Sequence, residues 1–298
     1  NSLNNKNVKF LNSKPKYQSN KIHTITQSFK FVKKVKEIVL GPDIVEIDKN
    51  LIFDEETHVR ILPGTIINFN GNFSIISKGK IHIGGTKINP IIFKSTKKKW
   101  GTLGILGQSA NGSVIKNTIF QNGTFSNLNN ISLTGMISIY NVDDIKIMDT
   151  IIQNNHYGDD ALRTINSNIH LNNVKLKNCY KDCIDLDYSK AIIENINIYN
   201  AGNDSLDFMS SEVKINSVNI NNCGDKGISI GEASNVNGKN IIISNCKIGI
   251  ASKDDSLGTF DTIVLKSNNI GLAKYLKNWR YRFPFNIIIN NSIFEKNK

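Results

Sequence analysis

The apolar positions between Tyr157 and Glu232 recur at a fixed interval of about 22 residues. Leu162, Ile184, Leu206 and Ile228 share one place in that interval. Ile169, Ala191 and Val213 share another, as do Leu171, Ile193 and Ile215. Val174, Ile196 and Val218, then Leu176, Ile198 and Ile220, complete the apolar columns. Between them polar and apolar residues alternate, the two-residue period of a strand. Asn178, Asn200 and Asn222 form a polar column whose stacked amides are expected to hydrogen-bond from coil to coil, a structural role. Short strands at such a period predict a solenoid, because one coil buries its apolar face only by stacking on its neighbours.

The rest of the chain extends the pattern less regularly. Alternating runs predict strands at Ile44–Ile47, Leu51–Phe53, Val59–Leu62, Thr65–Phe69, Phe73–Ser77, Lys80–Ile83 and Pro90–Phe93. Pro63–Gly64 and Gly84–Gly85 mark turns between them. Gly123–Ile131, rich in Ser and Asn, reads as a loop leaving the stack. Ile250 and Leu272 continue the inward column of Ile228, and Ala251 and Ala273 the outward one beside it. An open stack end exposes apolar side chains and strand edges, so residues 25–60 are assigned to an N-terminal cap and first coil. Residues 1–24 read as an irregular linker, and 61–298 as the solenoid, whose aromatic and basic tail is a last coil or a terminal cap.

The same columns place chemistry on the outer surface. If Leu162, Ile184, Leu206 and Ile228 face inward, Arg163, Asp185, Asp207 and Ser229 face solvent, together with Asp187, Gly231 and Lys253. Asp160, Asp182, Asp204 and Lys226 stack at the corner where each strand begins. Coils lie about 4.8 Å apart. Stacked carboxylates at that spacing repel by roughly 3 kcal/mol per pair before screening, at an effective dielectric near 20. Something must offset this: Lys226 and Arg163 at the column ends, a hard cation such as Ca²⁺, or raised pKa values. Gly227 and Gly231 fall at outward positions and are expected to open room for a ligand beside Lys226, Ser229 and Glu232. The Asp160, Asp182 and Asp204 column has a structural explanation as well, since Asp at a corner bonds nearby backbone N–H groups. His156 and His170 are isolated and read as surface or turn residues.

Composition narrows the partners. The formal charge of +12 favours an acidic one, whether polysaccharide, nucleic acid or an anionic surface. Lysine runs such as Lys97–Lys99 are not interleaved with aromatics as a base-stacking platform requires, which argues against nucleic acid. No apolar run approaches the roughly 18 residues of a membrane span, and no signal-peptide pattern stands at Asn1, as in a mature or excised chain. Cys179, Cys183, Cys223 and Cys246 lack zinc-type spacing with His. Cys179 and Cys223 are two coils apart, too far for a bond, whereas Cys223 and Cys246 lie on adjacent coils and can pair. Buried free thiols are the expected state.

Two sets of motifs carry a family resemblance. Leu62-Pro-Gly-Thr-Ile-Ile-Asn-Phe69, Gly85-Thr-Lys-Ile-Asn-Pro-Ile-Ile-Phe93 and Trp100-Gly-Thr-Leu-Gly104 look like the opening coils of bacterial β-helix proteins. Asp159-Asp-Ala-Leu162, Asn203-Asp-Ser-Leu-Asp207, Gly224-Asp-Lys-Gly-Ile-Ser-Ile-Gly-Glu232 and Gly249-Ile-Ala-Ser-Lys-Asp-Asp-Ser256 resemble right-handed β-helix repeat proteins of the pectate-lyase-like class. The likeness covers residues 43–280 and implies an all-β, single-stranded right-handed parallel β-helix. The class includes polysaccharide lyases, uronate epimerases, glycosidases and non-catalytic surface proteins. Some of its lyases hold Ca²⁺ on stacked Asp residues and use Lys or Arg to remove the proton α to a uronate carboxylate. Carried over, this implies Asp185, Asp187, Asp207 and Asp204 as calcium ligands and Lys226 as the base. Arg163 or Lys253 would bind the substrate carboxylate, with Ser229, Glu232, Asp160 and Asp182 lining the groove. The chain departs from the class in lacking the lyase basic signature, the epimerase Asp-Pro-His-Asp run and the polygalacturonase Gly-His-Gly. Two expectations stand: a Ca²⁺-assisted lyase or epimerase acting on an acidic polysaccharide, or a non-catalytic surface or envelope module for glycan binding, adhesion or scaffolding. In either case the protein is expected to be secreted, periplasmic or at the cell surface, as one module of a larger chain.

Overall fold

Alternation with a fixed period dictates a stack, and a computed structural model shows it over residues 35–128, 130–281 and 286–297. Apart from one short 3-10 turn at Gln108–Ala110, the regular structure among the described residues is all strand. Parallel pairing joins each coil to the next, about 22 residues on. Asn168 lies beside Lys190, Lys190 beside Glu212, and Ile44 beside Ile66. Three walls result. The first runs through Leu103–Leu106, Gly135–Tyr140, Asp160–Ile165, Asp182–Asp187 and Leu206–Met209 to Ile270–Tyr275. The second and third are formed by the two halves of long strands such as Asn168–Cys179 and Lys190–Ala201, which bend between them.

The interior is filled as the columns require. Leu162, Ile184, Leu206 and Ile228 are fully buried, and so are Leu176, Ile198 and Ile220. Earlier coils use aromatics instead: Phe69 stacks on Trp100 with ring centroids 4.7 Å apart, and Phe93 meets Phe120 at 4.6 Å. The Trp100 indole N–H donates to the Gln121 carbonyl at 2.8 Å, so its polar edge is satisfied inside the core.

Corners are set by backbone conformation. Asn173, Asn178, Asn195, Asn200 and Asn222 have positive φ, which Asn tolerates better than most residues. The amide ladder expected from the sequence is present: Asn222 donates to Asn200, Asn200 to Asn178, and Asn178 to Asn154, each at 2.9 Å. A second ladder, not anticipated, sits where the first wall turns into the second. There the backbone N–H groups of Ser167, Ser189 and Ser211 donate to the hydroxyls of Ser189, Ser211 and Ser234 in the following coil, at 3.0–3.2 Å. The segment expected to leave the stack is an antiparallel hairpin, Ser126–Leu128 with Ile131–Leu133.

The ends are described in part. Residues 1–24 and 25–34 of the predicted linker and cap lie outside the described residues. Lys36–Leu40, Ile44–Ile47 and Leu51–Phe53 pair in register with the next coil and are ordinary members of the stack. Asn286–Glu295 pairs with Leu257–Lys266 as a further coil.

The expectation of free thiols is corrected. Cys223 faces Cys246 across adjacent coils, Cα–Cα 4.6 Å, and the two are disulfide-bonded. Cys179 bonds Cys183 around the corner from the third wall into the first, Cα–Cα 5.3 Å. The Cys223–Cys246 bond is the pairing that adjacent coils allow, whereas a corner brings Cys179 and Cys183 within disulfide range, which a count of coils along one column does not reveal.

The inward assignment has a measurable consequence. Leu206→Ala is expected to cost about 2–5 kcal/mol in chemical denaturation, as core truncations do. Ile192→Ala, at an outward and exposed site, is expected to stay within about 0.5 kcal/mol of wild type.

Candidate functional site

Strand entry puts the first carboxylates in place. Asp160, Asp182, Asp204 and Lys226 follow one another at the corner leading into the first wall. They serve the backbone: the Asp204 N–H donates to Asp182 Oδ1 at 2.7 Å, and the Lys226 N–H to Asp204 Oδ1 at 2.8 Å. Asn203 Nδ2 donates a second bond to Asp182 Oδ1, at 2.8 Å. The Thr134 hydroxyl donates to Asp160 Oδ2 at 2.9 Å, while Asp160 Oδ1 is buried without a partner.

The outward column of the wall is partly paired within the protein. Arg163 forks across the next coil, donating through Nη1 to Asp185 Oδ2 and through Nη2 to Asp187 Oδ2. Such a planar fork suits two carboxylates at once. Lys226 Nζ lies 3.3 Å from both Asp204 oxygens and also bonds Asp225. Lys253 Nζ stands 3.9 Å from Asp207 Oδ1. Two of the means of offsetting stacked charge expected from the sequence are therefore present, paired cations and shifted pKa values.

Burial lifts Asp160 to about 7, against the opposing pull of Arg163 and the Thr134 bond. It lifts Asp182 to about 6, against the backbone bond from Asp204 and with repulsion from Asp204 adding to the rise. Asp204, Asp187 and Glu232 are raised too, each mainly by burial. For Lys226, burial disfavours the ammonium, but the Asp225 bond and the charges of Asp204 and Asp225 outweigh it and hold the proton more tightly than usual. This bears on the role expected of Lys226: a base must give up its proton near working pH, and this environment does the reverse.

Geometry redraws the expected groups. Oxygens of Asp160, Asp182 and Asp185 all lie within 4.8 Å of one another, a trio that can hold a metal ion. Of the four residues expected as calcium ligands, Asp185 belongs to this trio, Asp187 shares Arg163, Asp204 caps Lys226, and Asp207 faces Lys253. The donors are all carboxylate oxygens, the set that hard cations prefer, and Asp160 Oδ1 is buried without a protein partner, which fits such a group.

The open space expected at the glycines is corrected. A Cβ on Gly231 would meet Lys253 Cε at 2.9 Å, because that side chain lies over the gap. A Cβ on Gly227 would meet Ile243 Cγ2 at 2.5 Å, so this glycine abuts the core. Ser229 and Lys253, expected at the surface, are 0% and 2% exposed, and Asp187 is buried as well. Hollows are also found away from this column. Two of them, about 610 and 430 Å³, lie on the second wall around Ile192, Lys214 and Asn237. A third, of about 420 Å³, borders the carboxylates beside the hairpin and includes Thr134 and Asp159.

No family model matches the chain, and no curated protein matches it in sequence. Among solved structures it is similar to the catalytic unit of a GH87 α-1,3-glucanase from Streptomyces thermodiastaticus, at 11% identity and a TM-score of 0.34. That match covers 89% of this chain and 63% of the other, less than two thirds of its length. The Streptococcus pneumoniae surface protein and adhesin PfbA is similar at 11% identity over 89% of each chain, TM-score 0.37. A variant of the periplasmic alginate epimerase AlgG gives 10% identity, covers 87% of this chain and 78% of that one, and has a TM-score of 0.28. These likenesses give no residue here a role.

One further residue, not among those the sequence pointed to, belongs to this wall. Tyr275 follows Lys253 in register, and its charge environment includes Lys226 and Lys253. Burial raises its pKa. The signal was available, since Tyr275 continues the column of Gly231 and Lys253.

The raised carboxyls make stability fall with rising pH. Asp160 holds its proton up to about 7 when folded but only to about 3.9 when unfolded. Its contribution is therefore full below about pH 4 and is lost as pH rises toward 7. With a chelator present, the stability of Asp160→Asn relative to wild type is expected to climb by a few kcal/mol at most over that window, then level off. Denaturation midpoints at closely spaced pH values check the sign.

Proposed function

We propose that the protein binds an acidic polysaccharide along the outward face of the first wall. A divalent cation, calcium by the hardness of its donors, would sit at Asp160, Asp182 and Asp185. The single observation supporting this reading is the convergence of three carboxylates from adjacent coils within 4.8 Å. When bound, the cation supplies positive charge that relieves the trio and meets a uronate carboxylate. Around it the chain's own residues set the geometry: Arg163 fixes Asp185 and Asp187, and Lys226 fixes Asp204 and Asp225. The two disulfides favour an oxidising compartment, either periplasmic or extracellular. Among the described residues no helix is long and apolar enough to cross a membrane.

A second reading, turnover by a lyase or epimerase, is favoured by Asp182, whose pKa of about 6 suits proton transfer near neutrality. In that reading Lys226 and Arg163 act as fixed charges beside the substrate, and Tyr275 is the nearby phenol.

Calcium titration separates these ideas. Saturating Ca²⁺, at about 100 times its dissociation constant, is expected to stabilise wild type by about 2.7 kcal/mol and to leave an Asp182→Asn/Asp185→Asn double variant unmoved. Wild type should be retained on a uronate polymer in a Ca²⁺-dependent way. New ultraviolet absorbance from unsaturated uronate, abolished in Asp182→Asn, identifies the lyase. Equal thermal shifts in wild type and the double variant would sink the cation site.

A further inference from the structure

The hollow beside the hairpin contains two tyrosines that the core does not use. Tyr157 and Tyr180 are 65% and 50% exposed, with ring centroids 5.6 Å apart and planes at 51°. Tyr157 has φ of 61°, a conformation uncommon for a bulky residue and found where surrounding structure imposes it. That structure is visible. The buried Asn155 amide donates to the Gly158 carbonyl at 3.1 Å, and its Oδ1 accepts the Tyr180 N–H at 2.8 Å, tying the two corners together. Two large rings are thus held at the surface by a buried polar link, where hydrophobic burial alone would have drawn them in.

Charge completes the hollow. Lys181 pairs with Asp159 at 2.6 Å, and Lys99 Nζ lies 5.3 Å from the Tyr157 ring centre. Phe125 forms part of the far side, on the segment that leads into the hairpin. Thr134 lines the hollow and donates to Asp160 Oδ2, so the space adjoins the carboxylate trio directly. Aromatic faces with a few convergent polar groups are the usual lining of a small-ligand site.

We propose that this hollow is a sugar subsite for one uronate residue of an acidic glycan whose chain continues past Thr134 to Asp160. The apolar C–H face of the pyranose ring lies on Tyr157 and Tyr180. Its carboxylate meets Lys181 and Lys99, and Asp159 accepts from its hydroxyls. The subsite rests on the acidic-glycan reading but not on the cation. Aromatic rings alone would also receive a nucleobase, but the charge here is confined to one lysine pair and one acid rather than tracking a phosphate backbone.

The test is calorimetry on the full chain with four probes: oligogalacturonate, alginate oligosaccharide, neutral dextran and a single-stranded oligothymidylate. Each is run with calcium and with chelator. Tyr180→Ala is expected to weaken uronate binding about tenfold in both conditions. Tyr157→Asn, which suits the positive φ, should do the same, and Tyr157→Phe should bind as wild type. Unchanged melting in the variants shows that folding is intact. Asp185→Asn should act only when calcium is present. If calcium and Asp185 prove irrelevant while the tyrosine variants still lose binding, the cation reading fails and the subsite stands. Tyrosine variants that bind uronate normally would overturn the proposal. So would preference for dextran or oligothymidylate, and so would no binding to any probe.

Discussion

Each coil must lie in register on the previous one at about 4.8 Å, because that is the spacing of backbone hydrogen bonds between strands. Like side chains therefore land on like. For Ile and Leu this makes a continuous core, and for Asn it makes an amide ladder at 2.9 Å. For Asp the same geometry is unfavourable, since neighbours repel with nothing to bond between them. The protein answers by changing the residue type within a column. Arg163 stands ahead of Asp185, and Lys226 closes the run from Asp160. The candidate site is the place where repetition becomes too costly and the repeat is broken.

That view separates what could be read in the sequence from what could not. The inward columns and the Asn ladder depend on spacing along the chain, and spacing is what a sequence states; the loop expected over Gly123–Ile131 rests on its Ser and Asn content, and its pairing as a hairpin does not show there. The state of the outward face depends on where long side chains go once the coils are stacked. Lys253 lies back over Gly231 toward Asp207, filling space that the glycine would have left open. Arg163 reaches forward to Asp185 and Asp187 one coil away, and Asp185 so held converges with Asp160 and Asp182. Cys179 meets Cys183 around a corner, a contact invisible to a reading made along columns. The serine ladder was legible in principle, since Ser167, Ser189 and Ser211 share the period. What makes these serines rungs is the hydroxyl accepting an N–H from the preceding coil, a contact that residue type and spacing do not specify.

Electrostatics and packing are coupled on this wall. Burying Asp160 and Asp182 raises their pKa values, which reduces their mutual repulsion but makes their charge dependent on conditions near neutrality. The buried cations do the opposite. Lys226 is held charged by Asp204 and Asp225, so it acts as a fixed element of the wall. The wall thus combines the fixed positive charge of Lys226 with carboxyl groups whose charge varies.

The disulfide between Cys223 and Cys246 has a consequence for how disorder spreads. In a stack where each coil touches only its neighbours, local opening propagates from one coil to the next, much as a zipper runs. A covalent link between two successive coils is a tether in that path. Opening that begins in the later coils leaves the coils of Cys223 and Cys246 tethered while the bond is intact, and Cys179–Cys183 lies further in. The coils that bear Asp160, Asp182 and Asp185 precede this link, so it tethers them against fraying that begins in the coils after Cys246, and reduction of the bond would remove that tether without touching any residue of the site.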